Sequence, residues 1–290
     1  MSLNEDMTRD AAGASVEGVL NYVAPDCRES RRFVFPGNEV NTGRFVPHRV
    51  TIRNARRAST RPTLDTMGFE LFGHKSRVQN FRDRAEIDAV YPDEVMAAIR
   101  DLTGADLVVP MGYVLRDANE TGNGAKQPPA SDVHVDISQA SAPRIGQGLF
   151  AEHAPQDRTY RRFIASSFWR TFSPPPQDWP LALCDGTSIS QANGIPNRLV
   201  RLSARPDPAA MQAPIANEQE LPAATIFHYH PDERWYYYPD MNRDEVVLLK
   251  LHDSNHDRAW FTAHTAFHDA ARTGTITRES IEFRTIAYWY

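Results

Sequence analysis

The chain has 290 residues, 41% of them hydrophobic and 24% charged, which is enough apolar material for a sizeable core and too much for wholesale disorder. Its net charge of −5 argues against a general nucleic-acid binder or a partner of anionic membranes. No run of about 18 apolar residues exists, the N-terminus lacks an apolar signal core, and Cys27 and Cys184 make no disulfide framework, so a reduced cytoplasm is expected.

In chain order, residues 1–14 are polar and read as a disordered leader, followed by one domain over 15–290. Its first part, 15–110, reads as a mixed region with strands at 16–23 and 68–73. A helix is expected at 92–102, with Pro92 at its first position, Gly104 to end it, and Val95, Met96, Ile99 and Leu102 on one face. The basic cluster from Arg53 to Arg61 is interrupted by small and polar residues and reads as solvated surface. Residues 107–115 return as a strand. Residues 117–130, carrying Asn, Gly and the Pro128-Pro129 pair, read as a loop and a candidate lid. Beyond it, strand-like runs dominate at 162–172, 198–203, 224–229, 234–238, 245–251, 260–262 and 281–290, with an Ala/Pro-rich insertion at 204–222. Many short strands between Pro and Gly breaks predict a mainly β chain with peripheral helices, a sandwich or jelly roll rather than alternating βα units.

The chemistry concentrates in a split constellation. Ser131-Asp132-Val133-His134-Val135-Asp136-Ile137-Ser138 alternates with the strand period of two, so His134 and Asp136 project to the same face. With a histidine from a second strand they form a 2-His-1-carboxylate face that leaves open positions, as Fe(II) oxygenases require. Of the ten histidines, His264 is favoured because it follows the strand-like 260–262; His252, His256 and His268 lie nearby as alternatives. His228 and His230 share a face but lack a carboxylate beside them. Arg278 and Ser280 also share a strand face, and a guanidinium fork with a neighbouring hydroxyl suits a carboxylate such as the distal one of 2-oxoglutarate. The competing reading of Arg278 is an ion pair with Glu279 or Glu282. Arg284 runs in phase with Arg278 as a stand-in for that cofactor-binding role, and Arg170 is a third cation, for the cosubstrate or an acidic substrate. The aromatic cluster Trp235 to Tyr238 reads mostly as core.

Several blocks of the second half resemble the hydroxylase/desaturase family that holds fungal gibberellin desaturases and the cephamycin 7α-methoxylation component. They are Phe168-Trp169-Arg170, Pro180-Leu181-Ala182-Leu183-Cys184-Asp185, Arg234-Trp235-Tyr236-Tyr237-Tyr238-Pro239-Asp240-Met241 and Asp244-Glu245-Val246-Val247-Leu248-Leu249-Lys250. The last runs from Thr262-Ala263-His264-Thr265-Ala266-Phe267 to Arg278-Glu279-Ser280-Ile281-Glu282-Phe283-Arg284. The chain departs where the family often has Asn-Val-Trp-Arg-Pro, reading Ser167-Phe168-Trp169-Arg170-Thr171. The resemblance implies a double-stranded β-helix core over 111–290, iron on His134, Asp136 and His264, and 2-oxoglutarate as cosubstrate. It further implies O2 and a small, secondary-metabolic substrate, with hydroxylation and desaturation both open and a homo-oligomer left open. Two other readings compete: a non-catalytic partner subunit of a metabolite-modifying complex, and a zinc hydrolase using the same three ligands, which would leave Arg278 and Ser280 unexplained.

Overall fold

The computed structural model describes residues 13–120 and 126–290; residues 1–12 of the expected leader and 121–125 of the expected lid lie outside the described residues. Fifteen strands run in chain order among them: β1 (Ser15–Val23), β2 (Ser30–Phe35), β3 (Asn38–Asn41), β4 (Phe45–Asn54), β5 (Phe69–Gly73), β6 (Leu107–Asp117), β7 (His134–Val135), β8 (Arg162–Thr171), β9 (Leu181–Cys184), β10 (Gly194–Arg201), β11 (Ala223–Phe227), β12 (Trp235–Tyr237), β13 (Glu245–Asp253), β14 (His264–Ala266) and β15 (Glu279–Trp289). Helices α1 (Arg84–Thr103), α2 (Ala142–His153) and the short α3 (Pro208–Gln212) are peripheral.

The strands form two sheets. The larger has the order β1-β4-β12-β9-β14-β7-β11-β10-β2-β3, and the smaller β5-β13-β8-β15-β6. The main core lies between them, where Tyr22, Ile52 and Trp235 of the larger sheet meet Trp169, Leu249 and Tyr288 of the smaller. A second core fills the other face of the smaller sheet, where Ile87, Tyr91, Val95 and Ile99 of α1 pack on Phe168, Leu248 and Phe283. The smaller sheet is therefore covered on both sides. That is why β13 is buried at every position and shows no polar alternation. This is the expected jelly roll.

Several local expectations are corrected. Helix α1 begins at Arg84, not Pro92: the Asp83 carboxylate caps the amides of Ala85 and Glu86, and Pro92 lies inside the helix. Gly104 ends it, as expected, in the left-handed conformation at φ 68°. Residues 260–262 are irregular, and the strand begins at His264 itself. The cluster 53–61 is not all solvated, because Arg56 makes a bidentate pair with Glu245 at 2.8 Å on both arms. Helix α2 had no sequence expectation. Its Gly146 allows a close approach to β8, since a Cβ there would sit 3.1 Å from the Phe163 ring. Strands from 15–110 join the larger sheet: β1 pairs β4 over its whole length, β4 pairs β12 in parallel, and β2 pairs β10 in parallel.

Candidate metal centre and active site

Strand β7 lies between β14 and β11, and in its pairing with β14 His134 stands directly opposite His264. Direct antiparallel partners bring side chains together, and the two imidazole centroids are 4.5 Å apart. Asp136 comes two residues after His134 on the same face. Its Oδ1 is 3.9 Å from His134 Nε2 and its Oδ2 3.6 Å from His264 Nε2. One donor atom from each of the three lies within 4.8 Å of the others, a spacing that can hold a metal ion. Each histidine is oriented from behind: His134 Nδ1 is 2.8 Å from the Asp132 carbonyl and His264 Nδ1 3.1 Å from that of Thr262. Such backbone acceptors fix the tautomer in which Nε2 offers its lone pair.

The electrostatics set the protonation states a metal needs. Burial pushes the His264 imidazole down to about 4, with His134 adding to the effect. Burial opposes ionisation of Asp136, but Arg284 first and the histidines after it outweigh this and hold the carboxyl well below the usual carboxylate range. Asp136 Oδ1 accepts from Arg284 Nη2 at 2.7 Å. Asp136 Oδ2 is buried and has no hydrogen-bond partner. An ionised oxygen left bare in the interior is costly, and a cation at the triad would satisfy it.

A void of about 20 Å³ runs from His134 and His264 past Trp169, Ser167 and Leu249 to Arg278. Arg278 is 2% exposed, lies 5.6 Å from the centre of the Trp169 ring, and donates from Nη1 to the Trp179 carbonyl at 2.7 Å. Its Nε has no partner, nor has the buried Ser280 Oγ. Burial, with Arg116 beside it, brings the guanidinium down to about 9, so it stays charged at neutral pH. The competing ion-pair reading does not describe this residue: Glu279 pairs with Arg82 and Lys126, and Glu282 with Arg116 and Arg284.

A larger cavity of about 200 Å³ meets the void at Arg116, Ala130 and His134 and reaches Asp136. One wall is the β2–β3 hairpin with Asn38 and Asn41, another the end of the expected lid, Gln127 to Ala130, continued by Ser131 and Asp132. The other candidates fall elsewhere. Arg170 is the main correction: its neighbours Ser167 and Trp169 face the void, but Arg170 points through the opposite face of β8 towards α1. There it donates to Tyr91 Oη and the Arg243 carbonyl and contacts His74 Nδ1. The rival His252 and His256 pack with Trp260, and His268 lies against Trp179. His228 contacts the Val23 carbonyl instead of the triad. Sequence reasoning missed Arg116 and the role of Glu282. Arg116 closes the strand 107–117 as a lone basic residue after an apolar run, and it stands opposite Ser280 in the sheet. That position was the available signal.

Comparison with known proteins agrees with this geometry. The family described as "Oxidoreductase/YMDC permease-like domain" matches residues 20–288. The Fe(II)/2-oxoglutarate-dependent dioxygenase nvfI of Aspergillus novofumigatus is 28% identical over 283 residues, covering 94% of this chain and 96% of the relative. The hydroxylase/desaturase efuI of Hormonema carpetanum is 29% identical, covering 98% of each. Among solved structures, the iron and alpha-ketoglutarate-dependent endoperoxidase NvfI superposes with a TM-score of 0.78 at 27% identity, over 95% of this chain and 98% of that one.

Proposed function

The chain belongs to the oxidoreductase family that matches it over residues 20–288, and on that premise we propose that it is an iron- and 2-oxoglutarate-dependent oxygenase of a small molecule. The observation that carries the reading is a pair of unsatisfied groups at the two ends of one arrangement: the bare Asp136 Oδ2 beside the histidines, and the bare Nε of Arg278, which lines the void that the histidines also line, with the bare Ser280 Oγ two residues along. The first fits Fe(II), because two neutral imidazoles and a carboxylate leave three positions of an octahedron free. The second fits the distal carboxylate of 2-oxoglutarate, for which a buried guanidinium and a hydroxyl are suitable donors. Bound there, iron with 2-oxoglutarate and O2 supplies the oxidising chemistry that removes hydrogen from carbon, while the cosubstrate is decarboxylated to succinate.

The chain's own residues do the rest. His134, Asp136 and His264 hold the metal, and the Asp132 and Thr262 carbonyls keep the imidazoles aimed. Arg278 and Ser280 orient the cosubstrate, and Trp169 and Leu249 keep water from its length. At about 20 Å³ the void holds little more than one water molecule, so its walls part when the cosubstrate enters. The larger cavity receives the substrate, a small and secondary-metabolic molecule, next to His134 and Asp136. Arg170 takes no part in binding it. A cytoplasmic setting belongs to the same proposal and is supported by the free thiols of Cys27 and Cys184. Among the described residues no helix is long and apolar enough to cross a membrane.

The test is succinate release from 2-oxoglutarate with Fe(II) across a panel of metabolites, followed by mass analysis of the product. A gain of one oxygen means hydroxylation and a loss of two hydrogens desaturation. His134→Ala, Asp136→Ala and His264→Ala are each expected to abolish release. Absence of Fe(II)-dependent succinate with every metabolite would contradict the proposal.

A further inference from the structure

The triad's carboxylate is held by a cation, an unusual neighbour for a site meant to bind another cation. Arg284 Nη2 donates to Asp136 Oδ1 at 2.7 Å and to Glu282 Oε1 at 2.5 Å. Glu282 is in turn gripped by both arms of Arg116, at 3.1 and 3.2 Å. Arg116 Nη1 donates to the Pro128 carbonyl at 2.9 Å, in the wall of the larger cavity. The chain of contacts therefore runs from that wall through Arg116, Glu282 and Arg284 to one oxygen of Asp136, and stops there. The other oxygen is the bare one. Arg284 has a bare Nε as Arg278 does, but it does not line the void that reaches Arg278 and its Nη2 already donates to two carboxylates, so we place the cosubstrate at Arg278.

We propose that Arg284 is the positioning residue of the metal centre: it occupies Asp136 Oδ1 so that the carboxylate binds iron through Oδ2 alone. The inference rests on the metal reading above. Its physical content is a count of coordination positions. Two histidines and one carboxylate oxygen take three of six, the cosubstrate needs two and one remains. A carboxylate free to chelate with both oxygens would take that last position. Arg284 prevents this, and Glu282 prevents Arg284 from turning away. Arginine is suited to the task because its planar fork can serve two carboxylates at once, whereas lysine is a point charge on a flexible stem.

The inference is read in the metal's surroundings more than in its affinity, because loss of a neighbouring cation and gain of a second carboxylate oxygen both favour a divalent metal. The experiment is titration of the metal-free full-length protein with Co(II), read both as a dissociation constant and as the ligand-field spectrum, for the parent, Arg284→Met and Arg284→Lys. Arg284→Met is expected to show a changed spectrum, because both carboxylate oxygens become available, with affinity no weaker than the parent's, and Arg284→Lys to return part of the way to the parent's spectrum. If Arg284→Met fails to fold, Arg284→Lys carries the test alone, with a changed spectrum expected. The parent's spectrum in the variants would overturn the inference and leave the metal reading standing. Failure of the parent itself to bind Co(II) would overturn both.

Discussion

Arg170 lies on β8 and Arg278 immediately before β15, the neighbouring strand of the smaller sheet, and both are shut off from solvent, at 0% and 2% exposure. Their surroundings differ in one respect. Arg170 has a partner for each nitrogen, in Tyr91, Arg243 and His74, and lies 5.3 to 5.7 Å from the ring centres of Phe81, Tyr91 and Phe168. Arg278 donates one side-chain bond and leaves Nε bare, and among the described residues its guanidinium has no carboxylate hydrogen-bond partner, Asp178 being met by its backbone N–H. A buried charge with a partner on every nitrogen holds the fold together. One whose donors are left open beside a void is kept for something that arrives later. On the proposed function, the two faces of a single sheet separate a structural arginine from a binding one.

Stability measurements sharpen this contrast most. Arg170→Met loses three hydrogen bonds given by a charged group and should cost about 2–4 kcal/mol in urea unfolding of the unliganded protein. Arg278→Met removes a buried cation whose charge Glu282 and Asp178 favour without a hydrogen bond to its guanidinium, and should change stability by less than about 1 kcal/mol, in either direction. Equal losses would mean that both arginines are structural. Ser280→Ala comes next, removing the buried, unpartnered hydroxyl two residues from Arg278. A net hydrogen bond of about 0.5–1.5 kcal/mol corresponds to a weakening of 2-oxoglutarate binding by roughly 2- to 12-fold, measured by calorimetry on the metal-loaded protein, with no change in Co(II) affinity.

The smallest and most general test concerns Glu233, a carboxyl far from the triad. Burial raises it from 4.5 to about 7, against the opposing hydrogen bonds from Tyr22 and Trp235, and its Oε1 has no partner. Between those two values the folded protein keeps a proton that the unfolded chain has lost, so stability should fall as pH rises from 4.5 towards 7 and then level off. The loss is at most about 3 kcal/mol. Glu233→Gln should flatten that decline and leave the mutant the more stable above pH 7. Melting temperatures followed across this range decide it, and an unaltered slope would remove Glu233 from the account.

What the sequence revealed and what it hid follow from how local each signal is. His134 and Asp136 were legible because a strand repeats every two residues, and so was the in-phase series 278, 280, 282, 284. Which face of β8 carries Arg170 was not. The strand is buried from Phe163 to Thr171, so no polar alternation marks the side towards the void. The start of α1 was written in Asp83 and Glu86, an acceptor followed three residues later by Glu, but Pro92 is the louder signal and points to the wrong turn. Strands β2 and β3 are short and polar and owe their place to pairing with β10 and each other, which no local pattern encodes. The ion network of Arg116, Glu282 and Arg284 needed the register of β6 against β15 before its members could be matched.

The claim that Arg278 waits for a carboxylate is tested most directly by titrating 2-oxoglutarate into the Co(II)-loaded protein, comparing the parent with Arg278→Met. Leaving a buried ligand carboxylate unpaired costs at least about 2 kcal/mol, so the cosubstrate should bind at least roughly 25-fold more weakly while Co(II) affinity stays as in the parent. An unchanged 2-oxoglutarate constant in Arg278→Met would contradict the account.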